Sequence, residues 1–90
     1  MVKYDVYFSK QANKDKKLLK NAGLQKKAEQ ILEIIANNPY DSSNNFERLK
    51  YDLNNFCSRR ISYQHRLVYE IDEENKEITT HRMWSYYDKF

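Results

Sequence analysis

Arg59-Arg60-Ile61-Ser62-Tyr63-Gln64-His65-Arg66-Leu67-Val68-Tyr69 decides the fold, together with Arg82-Met83-Trp84-Ser85-Tyr86-Tyr87 further along the chain. Two strand-like runs flank a polar turn, and arginines alternate with apolar residues. Side chains in a strand point alternately to opposite faces, so Arg66, Val68 and Glu70 share one face while Leu67, Tyr69 and Ile71 share the other. One face can bury itself while the other presents guanidinium groups, planar and always charged, suited to phosphate. The pattern fits a surface that grips a phosphodiester.

Working outward, strands are predicted over residues 56–61, 66–72 and 77–84, linked by short polar turns in hairpin fashion. Upstream, Val2, Tyr4, Val6 and Phe8 alternate with Lys3, Asp5 and Tyr7, the mark of a strand with one buried face. Ser9 follows as a helix N-cap, its hydroxyl placed to accept a free backbone N–H of the first turn. A polar helix then runs from Lys10 to Ala22 with Leu18, Leu19 and Ala22 as a thin apolar stripe. Gly23 is the only glycine, and it stands where a left-handed cap would end that helix. Leu24, Ala28, Ile31, Leu32 and Ile35 recur on one face of a second helix, which Asn37-Asn38-Pro39 stops. A polar loop and a connector around residues 46–50 follow, with Leu49 and Leu53 as its anchors. The order βααβββ makes the chain α+β, with two N-terminal helices packed on one side of a small antiparallel sheet, a single domain over residues 1–90.

Composition narrows the function classes. With 90 residues, 40% of them hydrophobic, the chain can build one modest core. Its mean hydropathy of −1.02 marks a densely polar surface. A lone cysteine, Cys57, excludes an internal disulfide and suits a reducing compartment. No apolar run approaches the ~18 residues of a membrane span, and the N-terminus shows no apolar signal core, so a cytoplasmic location without membrane contact is expected. The net charge is +3 but uneven: residues 1–27 carry +6, residues 28–50 carry −2 and residues 51–90 carry −1. The acids of the last segment cluster at Asp72-Glu73-Glu74 and Glu77, which leaves Arg59, Arg60, Arg66 and Arg82 as a second basic group. Two basic clusters in one small domain point to an anionic polymer as ligand.

No metal or cofactor is expected. His65 and His81 lack the close Cys/His spacing of a zinc site, and a single glycine makes no phosphate loop. Cys57 reads as a packed strand residue and His65 as a hydrogen-bonder in its hairpin. The constellation that can do chemistry is Glu47, Lys50, Arg60, Arg66, Tyr86 and Tyr87, with Arg82 as a further member. RNA is cut without a cofactor when a base takes the 2′-hydroxyl proton, cations stabilise the phosphorane and an acid protonates the departing 5′-oxygen. Glu47 suits the base, Arg66 and Arg60 the phosphate clamp, Lys50 a supporting cation, and the two tyrosines stack a base or pass a proton. From the residues alone, ordinary cross-strand ion pairs explain the same pattern.

Glu47-Arg48-Leu49-Lys50, Leu53, Phe56, Ser58-Arg59-Arg60-Ile61, His65-Arg66-Leu67-Val68-Tyr69, Arg82 and Tyr86-Tyr87 together resemble the YoeB branch of the RelE-like bacterial toxins. The resemblance covers nearly the whole chain, and the block from Ser58 to Tyr69 is specific for that branch. It implies a compact RelE-like α+β fold and a ribosome-dependent endoribonuclease that cleaves mRNA in the A site of the 70S ribosome. The ends would be a 2′,3′-cyclic phosphate and a 5′-hydroxyl. It further implies a toxin–antitoxin pair, in which a cognate antitoxin with an acidic or disordered segment silences the toxin; a homodimer is also compatible with it. Residue by residue, Glu47 matches the family's base, Arg66 its phosphate-stabilising arginine, Arg60 and Lys50 basic residues of the same site, and Tyr87 the C-terminal aromatic. One position departs: the family ends in His-Tyr, its histidine the general acid, where this chain has Tyr86-Tyr87. Tyr86 is thus the expected acid, with His81 next should a phenylalanine at 86 cut equally well. Asp88-Lys89-Phe90 receives no role.

Two alternatives belong to other classes. One is a toxin of the same fold that poisons a protein such as DNA gyrase, which has no reason to gather Glu47, Arg60 and Arg66. The other is an RNA- or ribosome-binding domain without nuclease activity.

Overall fold

The computed structural model describes residues 3–43, 46–48, 55–62 and 65–84. Strand β1 (Asp5–Phe8) leads into helices α1 (Lys10–Asn21) and α2 (Gln25–Asn37), followed by β2 (Glu47–Arg48), β3 (Phe56–Arg60), β4 (Arg66–Asp72) and β5 (Glu77–Arg82). The five strands form one sheet in the order β1-β5-β4-β3-β2. The α+β reading and the two helices on one side of the sheet hold. Two details differ from the sequence reading. The connector after the helices contributes the short strand β2, which pairs antiparallel with β3. The sheet is also mixed, because β1 runs parallel to β5, with Asp5 opposite Glu77 and Phe8 opposite Thr80. A helical hairpin, rather than a tight turn, separates β1 from β2. It carries the chain across the sheet, so the two strands end on opposite edges and β1 is free to pair in parallel.

Local chemistry explains the element boundaries. Ser9 Oγ accepts the backbone N–H of Ala12 at 3.1 Å and donates to the carbonyl of His81 at 3.0 Å, so one hydroxyl starts α1 and ties it to β5. At the other end Gly23 adopts φ 76°, while its own N–H reaches the Lys20 carbonyl and the Leu24 N–H reaches that of Leu19. That left-handed turn is the one glycine tolerates, and it closes the last carbonyls of the helix.

The core joins Leu19, Ala28, Ile31 and Ile35 of the helices to Cys57, Leu67, Tyr69, Ile71 and Ile78 of the sheet. The second helix buries the face its periodicity predicts. The first does not: Leu18 is 42% exposed, Ala22 lies on the surface, and the buried stripe is Ala12, Asp15 and Leu19. An acid inside a core stripe is invisible to a hydrophobic pattern. Asp15 is tolerated because its carboxylate accepts the Met83 backbone N–H at 2.9 Å and a Gln11 amide N–H at 2.9 Å. Among the described residues no helix is long and apolar enough to cross a membrane.

Candidate active site

The sheet face turned away from the helices carries the described candidate side chains, and register says which of them are neighbours. Glu47 lies opposite Ser58, Ser58 opposite Val68, and Val68 opposite Arg82, one row across four strands. The next row pairs Arg60 with Arg66, and the row on the other side pairs Phe56 with Glu70. Directly opposed residues on paired strands present their side chains to the same face. Glu47, Arg60, Arg66 and Arg82 thus share one surface.

Arg66 sits deeper in that surface than strand alternation predicts. It is only 8% exposed, and Val68 beside it is fully buried. Its Nε and Nη2 donate to Ser58 Oγ at 3.3 and 3.1 Å, and Nη2 lies 3.8 Å from a carboxylate oxygen of Glu47. The Glu47 side chain is 49% exposed. A guanidinium fixed from below and a carboxylate open to solvent make a pair in which the cation is preorganised and the acid can reach a ligand. Such a long, half-exposed ion pair adds little to stability. Arg60, half-buried on β3, faces Arg66 directly. Two like charges opposed across a ladder repel each other, and a bound polyanion would relieve that repulsion.

Arg59 is no part of this surface, contrary to its grouping with the other strand arginines. It is fully buried on the core side. There its Nε donates to the Tyr69 hydroxyl at 3.0 Å, Nη1 to the Ser43 carbonyl at 2.7 Å and Nη2 to the Pro39 carbonyl at 3.1 Å. The guanidinium also lies over the Phe46 ring, 4.7 Å from its centroid. Phe46 immediately precedes Glu47, so this buried cation anchors the loop that delivers the carboxylate. Burial pushes the Tyr69 hydroxyl well above the ordinary phenol range, which keeps it a proton donor to Pro39.

The other titratable groups sort as follows. Cys57 is buried, and burial raises its thiol, as suits a packed residue. His65 does brace its hairpin: its carbonyl accepts the N–H groups of Ile61 and Ser62, its Nδ1 donates to the Trp84 carbonyl at 2.7 Å, and its ring stacks on Trp84. His81 stands on the functional face, bonded to Glu70 at 3.0 Å and stacked on Phe56. Lys50, Tyr86 and Tyr87, the remaining expected site residues, lie outside the described residues, as do Leu49 and Leu53. A cleft of about 350 Å³ opens elsewhere, in the helical layer between Leu19, Ala28, Leu32, Phe8 and Met83. Proximity to Glu47 and Arg66, rather than concavity, marks the candidate site.

Residues 4–86 match the family described as the YoeB-like toxin of bacterial type II toxin–antitoxin systems. The chain belongs to that family. A Toxin YoeB of Synechocystis is 43% identical over 68 residues, covering 76% of this chain and 72% of the relative. The YoeB dimer of Staphylococcus aureus superposes with a TM-score of 0.81 at 31% identity, covering 94% of this chain and 99% of that one. YoeB in the heterotetrameric YoeB–YefM toxin–antitoxin complex of the same organism gives 0.77 at 31% identity, over 93% and 98% of the two chains. The protein is accordingly the toxin of a YoeB-type pair on a RelE-like fold, as its block from Ser58 to Tyr69 implied.

Proposed function

We propose that this YoeB-like toxin is a metal-independent endoribonuclease that cuts mRNA in the ribosomal A site and so halts protein synthesis. The observation that carries the reading is the Glu47–Arg66 pair, a solvent-reachable carboxylate 3.8 Å from a guanidinium held on Ser58. Glu47 removes the proton of the ribose 2′-hydroxyl, and the 2′-oxygen attacks phosphorus. Arg66, with Arg60 opposite it and Arg82 along the same face, binds the phosphate and the charge that grows on its oxygens. Lys50 adds a further cation, Tyr87 stacks a splayed base, and Tyr86 is the acid expected from the sequence. The products are a 2′,3′-cyclic phosphate and a 5′-hydroxyl.

The setting follows from the substrate. A toxin that acts on translating ribosomes works in the cytoplasm, with 70S ribosomes and mRNA as partners. Solved relatives are described as a YoeB dimer and as YoeB–YefM complexes, which supports a cognate antitoxin as the silencing partner here and a homodimer as an accessible state. The basic face of Glu47, Arg60 and Arg66 also argues against a gyrase poison, which would not need it. The test is induced expression of wild type and Glu47→Gln. Wild type arrests translation, and the variant, altered at one half-exposed carboxylate, folds and does not. A folded Glu47→Gln protein of full toxicity would overturn the reading.

A further inference from the structure

We propose that His81, oriented by Glu70, is the general acid that protonates the departing 5′-oxygen. The inference rests on the endoribonuclease reading above and moves the acid's role from Tyr86 to a group on the outer face of the sheet.

Strand alternation places His81 there, since Ile78 and Thr80 on either side of Thr79 are buried on the core side. Val68 pairs with Arg82 but Tyr69 pairs with Thr80, so β5 carries one more residue than β4 at this point, and His81 is the extra one. The bulge takes Arg82 out of the regular alternation and onto the same face as His81. Thr80, just before it, is buried on the core side, whereas the His81 imidazole is turned to the other face. The bulge is fastened from behind, where Ser9 gives its backbone N–H to the Thr80 carbonyl at 2.9 Å and its hydroxyl to the His81 carbonyl at 3.0 Å. In front, Nε2 meets Glu70 Oε1 at 3.0 Å and the ring stacks on Phe56 with centroids 5.0 Å apart. The imidazole stays 27% exposed. A histidine with its second nitrogen bound to a carboxylate is held in one orientation, the arrangement general acids use.

Position relative to the phosphate clamp makes the assignment specific. Arg66 stands on Ser58, and Glu47 lies opposite Ser58 in the ladder. His81 stacks on Phe56, two residues along the same strand and on the same face. Two strand residues span about 6.6–6.8 Å. The imidazole therefore stands on the same face as the guanidinium and the carboxylate, about two strand residues along from Ser58, near enough for one phosphodiester to meet all three. Among the described residues, the charged groups near the imidazole are Glu70 on β4 and Arg82 beside it on β5, with Glu47 one row away and Arg66 two.

The step balances as follows. Glu47 takes the 2′-hydroxyl proton as the 2′-oxygen bonds to phosphorus. The bond from phosphorus to the 5′-oxygen breaks, its electron pair goes to that oxygen, and the oxygen takes the proton from Nδ1 of the imidazolium while Nε2 stays on Glu70. Exchange with water returns a proton to His81 and removes one from Glu47.

The experiment is single-turnover cleavage of ribosome-bound message carrying either oxygen or sulfur as the 5′-bridging atom. A thiolate leaves without protonation, since thiols ionise near pH 8.5 and alcohols far higher. His81→Gln should slow cleavage of the oxygen message by about 10²–10⁴-fold, the usual worth of a general acid, yet cut the sulfur message within about tenfold of wild type. Glu70→Gln should show a smaller loss of the same selective kind, and it serves alone if His81→Gln melts below the assay temperature. Equal losses on the two messages, or no loss on either, would overturn the assignment of His81. Wild type that cuts neither message would overturn the endoribonuclease reading itself.

Discussion

Arg59 Nε donates to the Tyr69 hydroxyl at 3.0 Å inside the core, although Arg59 neighbours an arginine on the opposite, functional face. The same hydroxyl donates to the Pro39 carbonyl at 2.7 Å. Removing it leaves the buried Arg59 Nε–H short of a partner, while the Pro39 carbonyl keeps its bond from Arg59 Nη2. Tyr69→Phe should therefore cost about 1–3 kcal/mol in denaturant unfolding, while the folded fraction still cleaves message. A Tyr69→Phe protein as stable as wild type would show that the buried network adds nothing.

Arg66 and Glu47 should separate in stability though not in activity. Loss of a preorganised cation at developing charge costs roughly 10²–10³ in rate, so Arg66→Ala should fall by that factor in single-turnover cleavage. Because Arg66 is nearly buried and bonded to Ser58, the same change should lower stability by about 0.5–1.5 kcal/mol or more. Glu47→Gln, on an exposed side chain, should stay within about ±0.5 kcal/mol of wild type. Thermal melts beside the rate measurement check both halves.

The legible parts of the fold were those with strong periodicity. The Ile31–Ile35 face of α2, the alternation of β4 and the left-handed Gly23 each announce themselves in a few residues. The parallel pairing of β1 was not legible, because pairing partners far apart in sequence leave no local mark. Arg59 and Asp15 were missed for a related reason: a buried charge is accommodated by partners such as Pro39, Ser43 and Met83 that only the folded chain assembles. At the site, strand alternation placed Arg60 and Arg66 on one face correctly. It could not foresee the bulge that brings Arg82 to the same face beside His81, nor how deeply Arg66 would sit.

Acid stability should report a surface cluster remote from the site. The Glu73 carboxylate accepts bonds from Lys76, Tyr4 and Tyr40, and these hold its pKa down from 4.5 to about 2. A carboxyl depressed on folding contributes stability above its ordinary pKa and loses it as pH falls through the folded value. Glu73→Gln should accordingly flatten the fall in melting temperature between about pH 4.5 and 2. An unchanged acid limb would mean the contacts do not persist in solution.

Ribosome binding should weaken steeply with salt through the lysines at 10, 14, 16, 17, 20, 26 and 27, which all stand exposed on the two helices. Each phosphate they neutralise releases counterions and adds to the slope of log affinity against log salt. Reversing the charge of three of them should make that slope shallower and lower affinity. If both stay as in wild type, the helices present only a solvated surface.

The most direct test of the Glu47–Arg66 account is the chemistry of the ends left on message in a purified translation reaction free of other nucleases. Wild type should leave a 2′,3′-cyclic phosphate and a 5′-hydroxyl at a codon in the A site, and the Glu47→Gln, Arg66→Ala double variant should leave the message intact. Intact message with wild type, or equal cutting by the double variant, would contradict it.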